Sequence, residues 1–562
     1  LFTRFGENAH LMVRPVHLAA LLAVLLSVGV ALAAPGTAAA RQTPPGEIRH
    51  VVVVDRMSDA TFARLARLGA VGLLRPSYGP TTNRRRALAE LVRGTEVNAR
   101  LGGVPQGRPL INVNGVAVFN NCKLCIVVQL PPRGRPIAND RLYRIAVIGG
   151  GFHGLLTSPT THIPGLVSIV DIAPTDLGGH PATSLNWRPS TPTGALGHLS
   201  HLDHAIGANN RLKFPALFIL AGVLLALALL GLRAAVTAVP AALLVNLALG
   251  MGPVSNEVLL CAAISAGTAL VALALARLCR SESALLALYG GVVALYAVVM
   301  VTRPEWQAVN PFGPTQNSRF WGIGNQVETL LLAPLLAGAF LARRRFGVLG
   351  FAVFGVFGLF VMTDNRLGAD GGGAIALGVA LAVLGTRLFK LGTRGFIGLL
   401  GSAAFAVLWI VTRGLAEPGP NHLRSAFSDH GAGLLSSLES RWPLSYLPAL
   451  HAWQLVLPLL FVLVGAFALA WRFARQRSTR DLLLAFGVAI VTSLLVNDSA
   501  AYELTAGIAV VGAFARFAPA PAPARAPVLA PAIARLLARM KLRPEPVPVP
   551  VPVLVPGESP PG

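Results

Sequence analysis

"FPALFILAGVLLALALLGLR", residues Phe214 to Arg233, carries no charged side chain until its final arginine. About 20 apolar residues at ~1.5 Å rise cross the ~30 Å hydrocarbon layer of a bilayer, so this stretch predicts a membrane-spanning helix. Runs of the same kind follow at 234–252, 256–276, 283–301, 326–342, 346–362, 371–389, 395–412, 451–471, 482–497 and 500–517. Together they predict a polytopic all-α membrane domain over residues 211–517, with about 11 transmembrane helices. The last two runs meet at "LLVNDSAAYELT", which is also compatible with one interrupted helix.

The whole chain agrees with this reading. Its 562 residues are 13% charged and carry a formal net charge of +23, with a mean hydropathy of +0.63, a combination foreign to soluble domains. On such a chain the basic excess is explained by loops facing anionic lipid, so the expected partners are membrane lipids and no nucleic acid. Lysine occurs only at 123, 213, 390 and 541, and Ala, Val and Pro abound, the composition of a GC-rich bacterial genome. Met12 opens a basic and then apolar stretch ending at Ala38-Ala39-Ala40, which reads as a signal peptide over 12–40; an uncleaved first anchor is the alternative. Either way residues from Arg41 onward are sent outside. After Arg516 the Pro- and Ala-rich segment 518–562 reads as a disordered cytoplasmic tail.

Arginine placement tests the sidedness. If the chain enters the membrane from outside near residue 210, alternation puts Arg233, Arg277, Arg280, Arg343 to Arg345, Arg387, Lys390, Arg394, Arg472, Arg475, Arg477 and Arg480 in cytoplasmic loops. The outer loops then hold Arg303, Arg319, Arg366, Arg413, Arg424 and Arg441, mostly beside acids. This obeys the positive-inside rule and predicts a multi-pass plasma-membrane protein, its N-terminal domain extracytoplasmic and its tail cytoplasmic.

Residues 41–210 alternate β-rich runs such as "IRHVVVVD" and "RLYRIAVIGGG" with amphipathic helical patterns such as "ATFARLARLGAVGLL", which predicts an α/β extracytoplasmic domain. Asp55 stands at the C-terminal end of its strand, where open α/β sheets place ligands. "HVVVVDRMSDATFARLARLGAVGLL" and "GLVSIVDIAPTDL" resemble the two ends of alkaline phosphatase superfamily domains. The resemblance implies a truncated alkaline phosphatase-like fold in which Asp55 is a metal ligand and "PTTNRRRALAELVRG" occupies the place of the nucleophile. That place falls at Asn83-Arg84, and the superfamily's Asp-His pair has no counterpart beyond His153, so the resemblance implies a degenerate, non-hydrolytic domain. The external domain joined to spans with "RFWGIGN", "GADGGG" and "NDS" also resembles a family of large integral membrane proteins of actinobacteria, marked by an R-F-[YF]-G-x-G-N segment.

Two smaller motifs have alternative readings. Cys122 and Cys125 in "NCKLC" fit a local disulfide better than zinc, because no second pair of ligands stands near them. His198, His201 and His204 share one helix face next to the first span, either as a metal face or as a polar juxtamembrane surface.

The polar segments of the membrane domain all open, by alternation, onto the outer face: Arg319 to Glu328, Asp364 to Gly373, Arg413 to Leu450 and Asn497 to Glu503. Part of this is helix capping. Asn325 with Glu328 spells a capping box, and Asp370 and Asp498-Ser499 precede helix starts. The remainder suits an anionic ligand, since Arg319 and Arg424 offer guanidinium forks for phosphate. Glu328, Asp370 and Asp498 could serve as base, or Asp370 and Asp498 could hold a divalent cation. The expected function is therefore a transferase acting at the outer leaflet on a lipid-linked phosphate or sugar of the cell envelope. A transporter or flippase for an envelope lipid or anion is the alternative, and a non-catalytic scaffold or sensor is a third reading.

Overall fold

A computed structural model describes residues 49–94, 124–177, 184–252, 254–314, 322–416, 450–497 and 499–517. The expected signal peptide, Cys122, Arg319, Arg424, Asp498 and the tail lie outside the described residues.

The N-terminal part alternates strands and helices: β1 (Arg49–Val54), α1 (Asp59–Leu68), β2 (Gly69–Arg75), β3 (Thr81–Thr82), α2 (Arg84–Arg93), β4 (Leu124–Gln129), β5 (Ile137–Ala138), β6 (Tyr143–Gly149), β7 (Gly154–Thr157), β8 (Leu166–Ser168), α3 (Ile172–Asp176) and β9 (Asn186–Arg188). Local chemistry sets the helix ends. Ser58 accepts from the Thr61 amide to start α1, and Asn83 accepts from the Arg86 amide to start α2, which ends at left-handed Gly94. The segment expected at the nucleophile's place is thus a strand, a cap and a helix.

The main sheet has the order β1-β4-β6-β2-β7-β9, with β8 also paired to β2. It is mixed: β1 runs parallel to β4, while β6 is antiparallel to both β4 and β2. Successive side chains alternate between its faces. Ala70, Leu74, Ile126, Val128, Ile145 and Val147 join one core with α2 and α3. Val71, Leu73, Val127 and Ala146 join a second core with α1.

A buried polar network closes one end of β2. Arg75 is 1% exposed, and its Nη2 donates to Ser168 Oγ at 2.9 Å while Glu90 and Asp171 oppose its charge. Asp171 accepts from Ser158 Oγ and, at 2.6 Å, from Thr160 Oγ1. Burial raises its carboxyl to about 6, against the pull of those hydroxyls and of Arg75. Thr175 accepts from the Leu185 amide at 2.7 Å, so "DIAPT" works here as a structural seam. Cys125 is disulfide-bonded.

The second core is completed by α4 (Pro192–Leu229), which Thr191 caps and Pro192 begins. Its first half lays Ala195, Leu199, Leu202, Ala205 and Ile206 on the sheet; its second half places Ala216, Leu217, Leu220 and Leu224 in the core of the helical bundle. The domain boundary expected at 210 therefore falls inside one continuous helix, with no linker.

The bundle continues as α5 (Ala235–Met251), α6 (Glu257–Leu278), α7 (Glu282–Thr302), α8 (Pro304–Ala308), α9 (Asn325–Thr363), α10 (Gly371–Phe389), α11 (Thr393–Ala416), α12 (Trp453–Phe473), α13 (Arg477–Val496) and α14 (Ala500–Ala515). Among the described residues, eight helices are long and apolar enough to cross a membrane, and α5 and α14 are shorter apolar helices. This is the architecture of a multi-pass membrane protein. Gly347, at φ 70° and ψ −148°, breaks α9 just after Arg343 to Arg345, so that one element holds two of the expected apolar runs. "LLVNDSAAYELT" joins two helices, α13 and α14. Nearly every side chain of α14 is buried, whereas α11 and α12 expose Phe405, Trp409 and Phe461, as hydrocarbon-facing helices do.

Candidate functional site

Four helix ends meet at the end of the bundle nearer the α/β domain, where Phe214 of α4 stacks on Tyr502 of α14 at 4.2 Å. The chain enters α9 through Gly322, at φ 84°, and the Ile323 amide donates to the Gly368 carbonyl at 2.9 Å. Gly324 then takes the N-cap position without a side-chain cap bond. This corrects the expected capping box. The helix starts one residue earlier than it would with Asn325 as cap, so Glu328 stands at the fourth helical position instead of the third, and both side chains turn to other helices.

Glu328 is 0% exposed. Ser493 Oγ donates to its Oε1 at 3.2 Å and Asn497 Nδ2 to its Oε2 at 2.7 Å. Asn497 Nδ2 also reaches Ser493 Oγ at 2.9 Å, which fixes the end of α13 around the carboxylate. Asn325 Nδ2 donates across to Glu503 Oε1, in the first turn of α14, at 3.3 Å. Asp370 caps α10 as expected, its Oδ1 accepting from the Gly373 amide at 3.0 Å. Asp370 and Glu503 both lie close enough to Glu328 to interact with it electrostatically.

The glycines of "GADGGG" explain how α10 comes so near. A Cβ on Gly372 would stand 1.8 Å from Asn497 Oδ1, and one on Gly373 would stand 2.7 Å from Glu328 Cγ and 3.0 Å from Asp370 Oδ2. Only hydrogen fits there. Three of the four ends are helix N-termini, whose dipoles favour negative charge, and this offsets part of the cost of gathering acids. Among the described residues Glu328 has no cationic partner, and the side chains that hold it are neutral donors. A buried carboxylate of that kind is more often retained for work than for stability.

The structure brings Glu328 and Asp370 together, as the sequence reading grouped them, and adds Asn325, Ser493, Asn497 and Glu503. Arg319, Arg424 and Asp498 lie outside the described residues. Asp364 is paired with Arg366, whose Nε lies at 3.1 Å and Nη2 at 3.2 Å, and among the described residues its side chain makes no hydrogen bond to Glu328. Ser499 stands at the N-cap of α14 but makes no side-chain cap bond. In the α/β domain Asp55 lies just past β1, with 69% of its side chain exposed and Arg84 paired to it. His198 reaches the Pro164 carbonyl at 3.1 Å, while His201 and His204 are exposed. Among the described residues no group of three or more His, Cys, Asp or Glu is placed to hold a metal, at Asp55, at the histidines or at Asp370.

Sequence reasoning missed Lys213 and Gln307, both buried at this same end of the bundle. Lys213 is one of four lysines and directly precedes an apolar run, a signal that was available; Gln307, in a short helix between spans, gave none. Comparison of the chain with protein-family models, with curated proteins and with solved structures finds no match.

Proposed function

We propose that the chain is a plasma-membrane protein of about eleven spans that acts at its extracytoplasmic face on a lipid-linked phosphate or sugar of the cell envelope, as a transferase. The observation that carries this reading is the convergence of Glu328, Asp370, Glu503 and Asn497 from four helix ends at the domain-proximal end of the bundle. A group-transfer site for an amphiphile belongs where its polar head meets the membrane boundary, and these residues sit at helix ends, away from mid-span. Glu328 is the proposed general base, since a carboxylate held by two neutral donors retains a lone pair for a hydroxyl proton. Asp370 and Asn497 position it, and Arg319 and Arg424 are proposed from sequence alone to grip phosphate. A divalent cation at Asp370 and Asp498 remains part of the proposal only through Asp498. The positive-inside pattern supports the orientation, and the mixed α/β sheet supports the external domain as a degenerate relative of the alkaline phosphatase superfamily that receives substrate without hydrolysing it.

One observation favours a second reading, a transporter or flippase: Glu328 is sealed within the bundle, as proton-relay carboxylates are. The test uses cells lacking this chain. Their extracted envelope lipids should accumulate a lipid-linked precursor, cleared by the wild-type chain and not by Glu328→Gln or Asp370→Asn inserted at normal levels. Precursor build-up confined to the inner leaflet would favour transport, and normal clearance by both variants would remove the site from either reading.

A further inference from the structure

A second buried charge stands beside the acidic site. Lys213 is 3% exposed, and its Nζ donates to the Gly313 carbonyl at 2.6 Å. No carboxylate among the described residues pairs with it. An ammonium has further N–H donors to place, and burial without a counter-charge is costly.

The carbonyl it touches belongs to a tight knot of backbone. The Gly313 amide donates to the Asn310 carbonyl at 3.0 Å, and a Cβ on Gly313 would stand 2.8 Å from the Gln307 carbonyl oxygen. Asn310 Nδ2 donates to the Trp306 and Gln307 carbonyls, each at 2.8 Å. Across the knot, a Cβ on Gly324 would stand 3.5 Å from Pro314 Cα and 3.8 Å from Gln326 Oε1. Lys213, Gln307, Asn310 and Gln326 therefore spring from one small region, next in chain to Asn325 of the acidic cluster.

That region is short of partners. Gln307 is 0% exposed, yet among the described residues neither its amide oxygen nor its amide nitrogen has a hydrogen-bond partner; Gln326 Nε2 and Asn310 Oδ1 are buried without one there too. Native folds rarely leave such groups orphaned, because each gives up its hydration with no return. The set contains a cation, two amide donors and two amide acceptors. A planar carboxylate would satisfy the donors only. A tetrahedral phosphate that retains a proton presents both oxygen acceptors and a hydroxyl donor, and its charge answers Lys213.

We propose that Lys213, Gln307, Asn310 and Gln326 form a binding site for a monosubstituted or free phosphate, with Lys213 as its counter-charge. The proposal deepens the transferase reading by seating the phosphate at the start of the helix that carries Glu328, and it rests on that reading only for the ligand's role in turnover. Binding is read without turnover, so the two can fail separately: Glu328→Gln should lose transfer and keep phosphate binding.

The test uses the full chain in detergent. Inorganic phosphate is titrated calorimetrically, and retention of phosphatidic acid against phosphatidylcholine is measured by mass spectrometry of the purified chain. Lys213→Met should weaken phosphate binding at least tenfold, or abolish selective retention of phosphatidic acid, and Lys213→Arg should restore part of it. Response to inorganic phosphate identifies a free anion as a ligand; response confined to phosphatidic acid identifies a lipid headgroup. Gln307→Leu decides the matter if Lys213→Met fails to fold, since removing orphaned amide atoms should leave the melting temperature unchanged or higher while weakening binding. Affinity for both probes unaltered in these variants, or no selective binding of either probe by the wild-type chain, overturns the proposal. A lower melting temperature in Lys213→Met with unaltered affinity would show a purely structural tie to Gly313 and overturn it as well.

Discussion

At the end of β2 the buried Arg75 donates to Ser168 and faces the carboxylates of Glu90 and Asp171; at the domain-proximal end of the bundle Glu328 and Lys213 are as deeply buried, but among the described residues each is held by neutral groups. The α/β domain pairs its buried charges with one another, so their cost of desolvation is met inside the fold. Elsewhere in the bundle the buried Asp364 and Asp481 are paired with Arg366 and Arg387, but at this end Glu328 and Lys213 stand in neighbouring, separate groups. Compensated charge belongs to architecture, whereas charge left uncompensated is available to something brought from outside.

The sharpest way to break this contrast is to make the same substitution in both places. Arg75→Met should destabilise the α/β domain by about 3–5 kcal/mol, because it removes the buried cation facing Glu90 and Asp171. Glu90 keeps Arg86, while Asp171 is left with hydroxyl donors and, among the described residues, no cation of its own. Lys213→Met should leave stability within about 1 kcal/mol of wild type or raise it, since a buried charge with no counter-charge among the described residues is removed at the cost of one hydrogen bond to Gly313. Denaturant unfolding of the full chain, followed by hydrogen exchange in β2 and α4, reads both; equal losses would erase the distinction.

Next in size is a pH effect. Asp171 has a folded pKa of about 6 against 3.8 for the free side chain, so the fold favours its protonated form. Its contribution to stability is fullest at low pH and is lost as pH rises from about 4 through about 6, a decline of roughly 3 kcal/mol at ~1.4 kcal/mol per unit. Hydrogen exchange in β2 and β8 should show that slope, and Asp171→Asn should flatten it. A smaller effect is expected at Gly373. Alanine there must push Glu328 or Asp370 aside, costing about 1–3 kcal/mol by overpacking and reproducing the functional loss of Glu328→Gln. Smallest is Arg211→Ala, which removes an exposed pair with Glu257 and should change stability by about 0.2–1 kcal/mol, less still at high salt.

The bundle was legible in the sequence because long apolar runs bounded by polar residues have few other solutions. The "NDS" break and the Asp370 cap were legible for the same local reasons. The capping box at Asn325 was misread by one residue, since Gly324 makes an extended cap without a side chain and that choice is set by packing against Gly368. The uninterrupted α4 was also missed. Its first half reads as a polar, histidine-rich surface helix and its second as a lipid-facing one, and hydropathy alone shows two segments where the backbone makes one. Nor could the sequence show that Ser493 and Asn497 meet Glu328, because they are 165 and 169 positions away and only the pairing of α9 with α13 joins them. Orphaned amides such as Gln307 are invisible before packing is known.

The length of α4 has a mechanical meaning. At ~1.5 Å per residue its 38 residues make a rod of about 57 Å, with the sheet fastened to one half and the bundle to the other. Both halves must share a single angular phase. Inserting one residue between Ala208 and Asn209 would turn the α/β domain by about 100° relative to the bundle, unseating Ala308 and Val309 from the sheet-side core while leaving each domain internally intact. Any torque on the α/β domain is therefore delivered directly to the helix that carries Lys213.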